Sequence, residues 1–385
     1  MSDMLALSAR RIFDGESWHE DAALVVRGGA VEGIVARHEI PAGADIVEAG
    51  DMLAPGFVDL QVNGGGGVML NDHHDVEGIE TICRAHAPFG TTALLPTLIT
   101  DMPDVTAAVV AAGIAAARSK VPGFAGLHLE GPHLSIARKG AHDPRLIRPM
   151  TDMDLALLMA AKKELPTLLT TVAPESVTPQ QVAALAGAGI VVSLGHTDAT
   201  YATARAYAEA GATKVTHLFN AMSQIGNREP GMVGAALAIG TIHAGLIADG
   251  VHVHPANIAN AVRAKAGPGR ICLVTDAMAT IGTDMTTFEL NGRTIYRKDG
   301  RLTLEDGTLA GADLDMISAV RFMHRTIGLD LGEALRMASL YPAQAIGKTD
   351  RLGSFTRGAA ADIVALSEKL DVSGVWIGGE RVFQA

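Results

Sequence analysis

The sequence predicts an α/β fold: a (β/α)8 TIM-like barrel carrying a small β-sandwich domain formed by both chain termini. Three observations lead there. Through the middle of the chain, eight short runs of apolar and β-branched residues alternate with Ala-rich helical stretches. Each run is nearly continuous in apolar residues, as a parallel strand covered on both faces must be. The two ends, 1–53 and 354–385, instead alternate strands with turns and contain little that reads as helix. A chain of 385 residues that is 48% hydrophobic can bury one large core and one small one. The expected division is therefore 1–53 plus 354–385 for the small β domain and 54–353 for the barrel.

Taken in order, "LALSARRIFDG" and "ALVVRGGAVEGIV" supply the first strands of the small domain. The barrel strands are "APGFVDLQVN", "TTALLPTLI", "FAGLHLEG", "TLLTTVAPE", "IVVSLGHT", "KVTHLFNAM", "AGLIADGVH" and "RICLVTDAM". Between them "DMPDVTAAVVAAGIAAARSK" and "TPQQVAALAGAG" have helical spacing, with Pro near the start of each. The charge-free "GMVGAALAIGTIHAGLIA" has the length of a membrane span, but its glycines and His243 divide it into a helix, a turn and a buried strand. "ADIVALSEKL" and "VWIGGERVF" return to the small domain.

Charge and cysteine usage narrow the function classes. A net charge of −11 gives no electrostatic footprint for nucleic acid, so an anionic ligand has to be held by local groups. Cys83 and Cys272 each lie inside an apolar run, which argues against a disulfide framework and against a thiolate zinc site. The N-terminal stretch lacks the basic and long apolar regions of a signal peptide. A reducing, cytoplasmic setting without membrane insertion is expected.

Candidate chemistry gathers at the carboxyl ends of the strands, where barrel enzymes keep their active sites. The third strand ends in "LHLEGPH" with Glu130, the fifth in "SLGHTDAT" with His196, the sixth in "VTHLFNAM" with His217, and the eighth in "VTDAM" with Asp276. Two imidazoles and a carboxylate suit zinc and leave a coordination position for water; a further carboxylate can serve as general base. Singly, each has a bland reading, since a lone His usually makes a structural hydrogen bond and Asp after Thr often caps a helix. Four at four strand ends resist that reading. His86, His243 and His324 lie in helical or apolar segments and read as structural, while His73 and His74 read as a solvated loop. "NGGGGV" lacks the Lys and spacing of a phosphate-binding loop.

The motifs "PGFVDLQVNGGGG", "LHLEGPHLSIARKGAHDP", "LGHTDAT", "THLFNAMS", "NREPGMVGAAL", "IADGVHVHP", "LVTDAMA" and "GTLAGADL" occur in an order that resembles the N-acetylglucosamine-6-phosphate deacetylase family of the amidohydrolase superfamily. The likeness covers about 50–350, and the flanks resemble that family's small β domain. It implies one divalent ion per subunit, zinc first with iron(II) or another divalent ion as alternatives, held by Glu130, His196 and His217. Asp276 becomes the acid/base, and His142 the group touching the acetamide carbonyl, with Ala141 beside it. Where two-metal relatives carry His-x-His on the first strand, this chain has Gln61 and Asn63; Gln61 is read as a neutral group near the metal's water. Asn220 and Ala221 are expected to line the sugar, and Arg228 and His252 to hold phosphate and hydroxyls, partly from a neighbouring subunit of a homodimer. Thr308, Leu309, Ala310 and Gly311 resemble a loop closing on the ligand. Ala312 departs from the "GTLAGS" continuation.

The reaction so implied is hydrolysis of the acetamide of N-acetylglucosamine 6-phosphate to glucosamine 6-phosphate and acetate. N-acetylgalactosamine 6-phosphate is the alternative substrate, and a non-catalytic sugar-phosphate-binding barrel the alternative of another class. A cyclic-amidase reading would want a lysine at the end of the fourth strand, and "TLLTTVAPE" has none.

Overall fold

The computed structural model describes residues 4–385. Eight parallel strands, Phe57–Val62, Thr91–Ile99, Leu127–Glu130, Leu168–Val172, Val191–Leu194, Lys214–Val215, His243–Leu246 and Ile271–Leu273, pair in sequence order. They coincide with the eight runs read from the sequence. All but two of the strands are buried along their whole length, which explains why they carry no polar alternation. Each fully buried Leu, Ile or Val there stabilises the fold by roughly 1.5–3 kcal/mol.

The ladder is continuous from the first strand to the eighth, and the ring closes by a few specific bonds. Asp276 N–H donates to the Gln61 carbonyl at 2.9 Å, Asn63 N–H donates to the Ala277 carbonyl at 2.8 Å, and Val62 bridges Ala277 in parallel. Below them the buried Asp59 carboxylate accepts from Gln61 N–H at 3.2 Å and from the Thr275 hydroxyl at 2.5 Å. The seam therefore fixes the first and eighth strands side by side where both carry candidate site residues.

Helices Val76–His86, Pro103–Ser119, Asp152–Glu164, Pro179–Gly187, Tyr201–Glu209, Gly231–Ala238 and Pro255–Ala264 follow the first seven strands. Local sequence starts several of them: Thr151 with Asp154, and Thr178 with Gln181, form reciprocal capping boxes, each satisfying two otherwise free backbone donors. The apolar, charge-free stretch resolves into the helix Gly231–Ala238, a turn and the strand His243–Leu246, and no described helix is long and apolar enough to cross a membrane.

Both chain ends enter one mixed sheet. Its strands are Met4–Phe13, Trp18–Arg27, Ala30–Ala36, Asp45–Glu48, Met52–Pro55, Ile363–Leu366, Val372–Ile377 and Glu380–Gln384. Ile363 pairs antiparallel with Pro55, which joins the two ends of the chain. Leu7, Leu24, Leu53, Ile363 and Trp376 form a core of their own under this sheet.

One feature was not anticipated. Between the eighth strand and the helix Met316–Arg325 lies a four-stranded antiparallel sheet, Thr287–Leu290, Arg293–Lys298, Arg301–Thr303 and Leu309–Ala312. It packs Phe288, Leu290, Ile295 and Leu302 against Met69, Ile99 and Met278 at the carboxyl end of the barrel. Ala312, the departure from the family pattern, is buried, and its N–H donates to the Asp276 carbonyl at 2.9 Å.

Candidate active site

Glu130, His196 and His217 converge from the ends of the third, fifth and sixth strands. The Glu130 Oε1 lies 3.3 Å from His196 Nε2 and 3.1 Å from His217 Nε2, and the two Nε2 atoms are 3.0 Å apart. The backbone is bent to aim them: His196, His217, Ala221 and Asp276 have φ of 46°, 26°, 48° and 52°. Side chains other than glycine rarely take this left-handed conformation, and such strain concentrates at functional sites.

The donor set fits a divalent cation. His196 Nδ1 lies 2.8 Å from the Arg138 carbonyl, a contact in which Nδ1 must carry the proton, so its Nε2 presents a lone pair. That lone pair faces a carboxylate oxygen and a second imidazole nitrogen, an arrangement a cation between them satisfies. Burial opposes ionisation of Glu130, but its contacts with His196 and His217 outweigh burial and hold the carboxyl well below its ordinary range. Gln61 Oε1 and Asn63 Oδ1, close by, are buried without a hydrogen-bond partner among the described residues.

His142 is a fourth neighbour, its ring within 4.8 Å of the ligand atoms of Glu130 and His196. Its Nδ1 accepts the Thr100 backbone N–H at 3.3 Å and contacts the Thr100 hydroxyl at 2.8 Å. Nε2 therefore carries the proton of the neutral ring. Burial and then the charge of His196 push the His142 pKa down to about 3, so the ring is a neutral N–H donor at pH 7. His142 can thus donate from Nε2, while His217 Nε2 faces the same Glu130 oxygen as His196 at 3.1 Å. The loop carrying His142 is fastened: Ser135 N–H donates to the His196 carbonyl at 2.9 Å, and Arg293 of the inserted sheet donates to the Ala141 carbonyl.

Asp276 sits opposite. Gln61 Nε2 donates to Glu130 Oε1 at 3.0 Å and to Asp276 Oδ1 at 3.1 Å, bridging the two carboxylates. Asn63 Nδ2 donates to the same Asp276 oxygen at 2.7 Å. Burial, then the negative charge of Glu130, raise Asp276 to about 6, against the opposing charge of His217 and the bond from Asn63. A carboxyl titrating there can both take and return a proton near neutrality.

These groups open on a cavity of ≈270 Å³ whose wall also includes Asn220, Ala221, His252, Thr308, Leu309 and Gly311. Gly311, at φ 63°, has no room for a side chain: an added Cβ would lie 2.6 Å from Met278 Cγ and 3.0 Å from the Asp276 carbonyl. Three expected site residues do not line it: Gln61, 0% exposed, lies behind Glu130 and Asp276, and two others fall elsewhere. Ala310 is fully buried in the core of the inserted sheet, because alternate strand residues face opposite sides and Leu309 and Gly311 take the cavity side. Arg228 is exposed and lies outside this cavity within the single chain.

Other contributors escaped the sequence reading. Asp249 Oδ2 lies 2.6 Å from His252 Nδ1, and its other oxygen accepts the N–H groups of Val251 and His252, so it sets the ring's orientation. Its place at the end of the seventh strand was the available signal. Leu290 and Met278 complete an apolar side of the cavity, and Leu290 reaches it from the inserted sheet.

A barrel with such a ligand set at its carboxyl mouth defines a metal-dependent hydrolase class. The chain belongs to the amidohydrolase family, whose model matches residues 52–382. Within it, the chain is 44% identical over 333 residues to N-acetylgalactosamine-6-phosphate deacetylase of a Shewanella species, covering 86% of this chain and 84% of that one. It is 37% identical over 364 residues to N-acetylglucosamine-6-phosphate deacetylase of Haemophilus influenzae, covering 94% of each. The crystal structure of N-acetylglucosamine-6-phosphate deacetylase from Pasteurella multocida superposes with a TM-score of 0.93 at 36% identity, covering 98% of this chain and 99% of that one. A variant of the Mycobacterium smegmatis enzyme in complex with N-acetyl-D-glucosamine-6-phosphate superposes at 0.91 with 32% identity, covering 99% and 100%.

Proposed function

We propose that this enzyme hydrolyses the acetamide of N-acetylglucosamine 6-phosphate to glucosamine 6-phosphate and acetate, as a cytoplasmic homodimer with one zinc ion per chain. The observation that carries the reading is the convergence of Glu130, His196 and His217 at 3.0–3.3 Å beside Asp276, a carboxyl raised to about 6. Glu130, His196 and His217 would hold a divalent ion, which would supply Lewis-acid polarisation and acidify water.

The chain's own residues do the rest. Asp276 takes the proton of the attacking water and returns it to the amine nitrogen, the step an amide's poor leaving group requires. Its charge state is held by Gln61 and Asn63, both neutral donors to Oδ1, so the site keeps its proton economy without a second ion. His142, a neutral Nε2–H donor, stabilises negative charge developing on the carbonyl oxygen. Asn220 and Ala221 line the sugar, His252 takes a hydroxyl or the phosphate, and Thr308, Leu309 and Gly311 close over it. Binding energy from the phosphate, far from the reacting bond, orients the acetamide.

N-acetylgalactosamine 6-phosphate is the second reading, favoured by the Shewanella relative. A sensor barrel without catalysis would have no use for a proton-accepting Asp276 beside the ligands. One preparation decides: bound metal per chain, and acetate release from both 6-phosphates and their unphosphorylated sugars. The expected result is one tightly bound ion per chain and the highest kcat/KM on N-acetylglucosamine 6-phosphate. Two tightly bound ions, or no preference for phosphorylated sugars, would overturn the proposal, and a preference for the galacto epimer would move it to the second reading.

A further inference from the structure

At the other end of the barrel, where the strands begin, a second cavity of ≈770 Å³ opens between the barrel and the terminal sheet. Thr92 and Ala93 of the second strand line it, as do Ala125 just ahead of the third strand, Thr167 just ahead of the fourth, and Asp362 and Gly378 from the terminal segment. Its wall shares no residue with the catalytic cavity. Val121, Phe124, Leu352 and Ile377 give it an apolar side.

Lys120, Lys163, Lys348 and Arg351 also line it, and none of these four side chains makes a hydrogen bond or ion pair with a described residue. Of the two carboxylates on the wall, one is engaged elsewhere and the other acts on Arg351 alone. Glu164 is engaged by Arg118 at 2.9 Å. Asp362 accepts the Gly378 N–H at 2.8 Å, and burial raises its carboxyl to about 6 against the opposing influence of that bond and of Arg351. The neighbouring Lys162 donates to the Leu165 carbonyl, and its pKa is lowered by burial and by the charge of Lys348. Thr167, 3% exposed, has a hydroxyl without a partner among the described residues. In a molecule of net charge −11, three lysines without an opposite charge, with Arg351 shared with Asp362, concentrate positive potential around one cavity where the average field is negative.

We propose that this cavity is a second ligand site, which binds a multiply charged organic phosphate of nucleotide size. The cations supply what a phosphate chain needs, three as compact ammonium charges and one as a guanidinium fork. The apolar side, with Phe124, takes the ring that such a molecule carries, and the volume falls in the ordinary range for small-ligand pockets. Ligand-binding there is separate from turnover, because no group on this wall touches the reacting atoms.

The test is calorimetric titration of the full-length, metal-loaded enzyme with ADP and with inorganic pyrophosphate. One ADP per chain is expected, bound at least ~10-fold more tightly than pyrophosphate because only ADP uses the apolar side. The double variant Lys163→Glu/Lys348→Glu should weaken ADP at least ~10-fold while leaving deacetylation within about twofold of the parent, which also shows that it folds. If the double change unfolds the chain, Lys348→Gln alone should weaken ADP about threefold. The proposal fails if 5-fold molar excesses of ADP up to about 5 mM give no binding heat, or if the charge variants bind ADP as the parent does. It also fails if saturating glucosamine 6-phosphate displaces ADP, which would place the nucleotide in the catalytic cavity. Equal affinity for ADP and pyrophosphate would overturn the assignment of an organic ligand.

Discussion

In the proposed reaction Asp276 exchanges a proton, and opposing influences leave its carboxyl at about 6, close to neutrality. Burial and Glu130 favour the protonated form, while His217 and the 2.7 Å bond from Asn63 favour the ionised one. Asp276→Asn separates that role from structure. The amide oxygen can still accept from Gln61 and Asn63, and the side chain keeps its size, but it can no longer take a proton. Turnover should fall by at least ~10² while metal content per chain stays at the parent value. Metal analysis and single-turnover acetate release on the same sample check both halves. Near-parental turnover would assign the base elsewhere, and loss of the ion would make Asp276 a ligand.

At the scale of elements, the barrel strands were legible because each is short, parallel and buried on both sides, so its sequence is a bare apolar run. The site was legible for a related reason: Glu130, His196, His217 and Asp276 are polar residues placed where such runs stop. The inserted sheet went unread although "TTFELNGRTIYRKDGRLT" carries its signal: Asn291-Gly292 and Asp299-Gly300, all four at positive φ, are two-residue hairpin turns between alternating strands, whose many charges hid the few core residues. Asn63 was visible as a residue but not as the holder of Asp276, since the bond exists only once the barrel closes. Element boundaries also carry a pH signature. Asp362, just ahead of the strand Ile363–Leu366, has its carboxyl raised to about 6, chiefly by burial. A carboxyl with a folded pKa above its unfolded value of roughly 3.9 contributes stability that is full below pH ~4 and lost as pH rises through about 6. Asp362→Asn keeps an acceptor for the Gly378 N–H and cannot ionise. Its unfolding midpoint at pH 8 should exceed the parent's by about 2–4 °C, and the gap should shrink at pH 5. Thermal scans at the two pH values decide; a gap independent of pH would show that ionisation of Asp362 carries no stability cost.

At the scale of the whole molecule, the site as a single chain builds it has an anion to hold and few cations to hold it. The net charge of −11 opposes a dianionic sugar phosphate at long range, and the wall of the catalytic cavity contains no Lys or Arg. Arg228 stands exposed in the loop 223–230, together with Ile225, which is 58% exposed. An exposed apolar side chain and a guanidinium without a partner among the described residues, in one loop, suit the proposed dimer, in which the arginine would enter the partner's cavity. Arg228→Ala should then lower kcat/KM on N-acetylglucosamine 6-phosphate by ~10² or more, the scale of a lost charge-assisted contact, and barely change activity on the unphosphorylated sugar. Equal losses on both sugars would assign Arg228 to folding or assembly and not to the phosphate. The two-chain arrangement has its own readout. Arg228→Ala chains and Asp276→Asn chains are each expected to be nearly inactive, yet in a mixed dimer one of the two sites combines an intact Asp276 with an intact Arg228 from the other chain. Co-refolding them in equal amounts should restore activity approaching about a quarter of the parent's, since about half of randomly assembled dimers are mixed and each has one complete site. Activity that stays at the sum of the separate variants, in a preparation shown by sedimentation to contain mixed dimers, would mean that Arg228 serves its own chain or none.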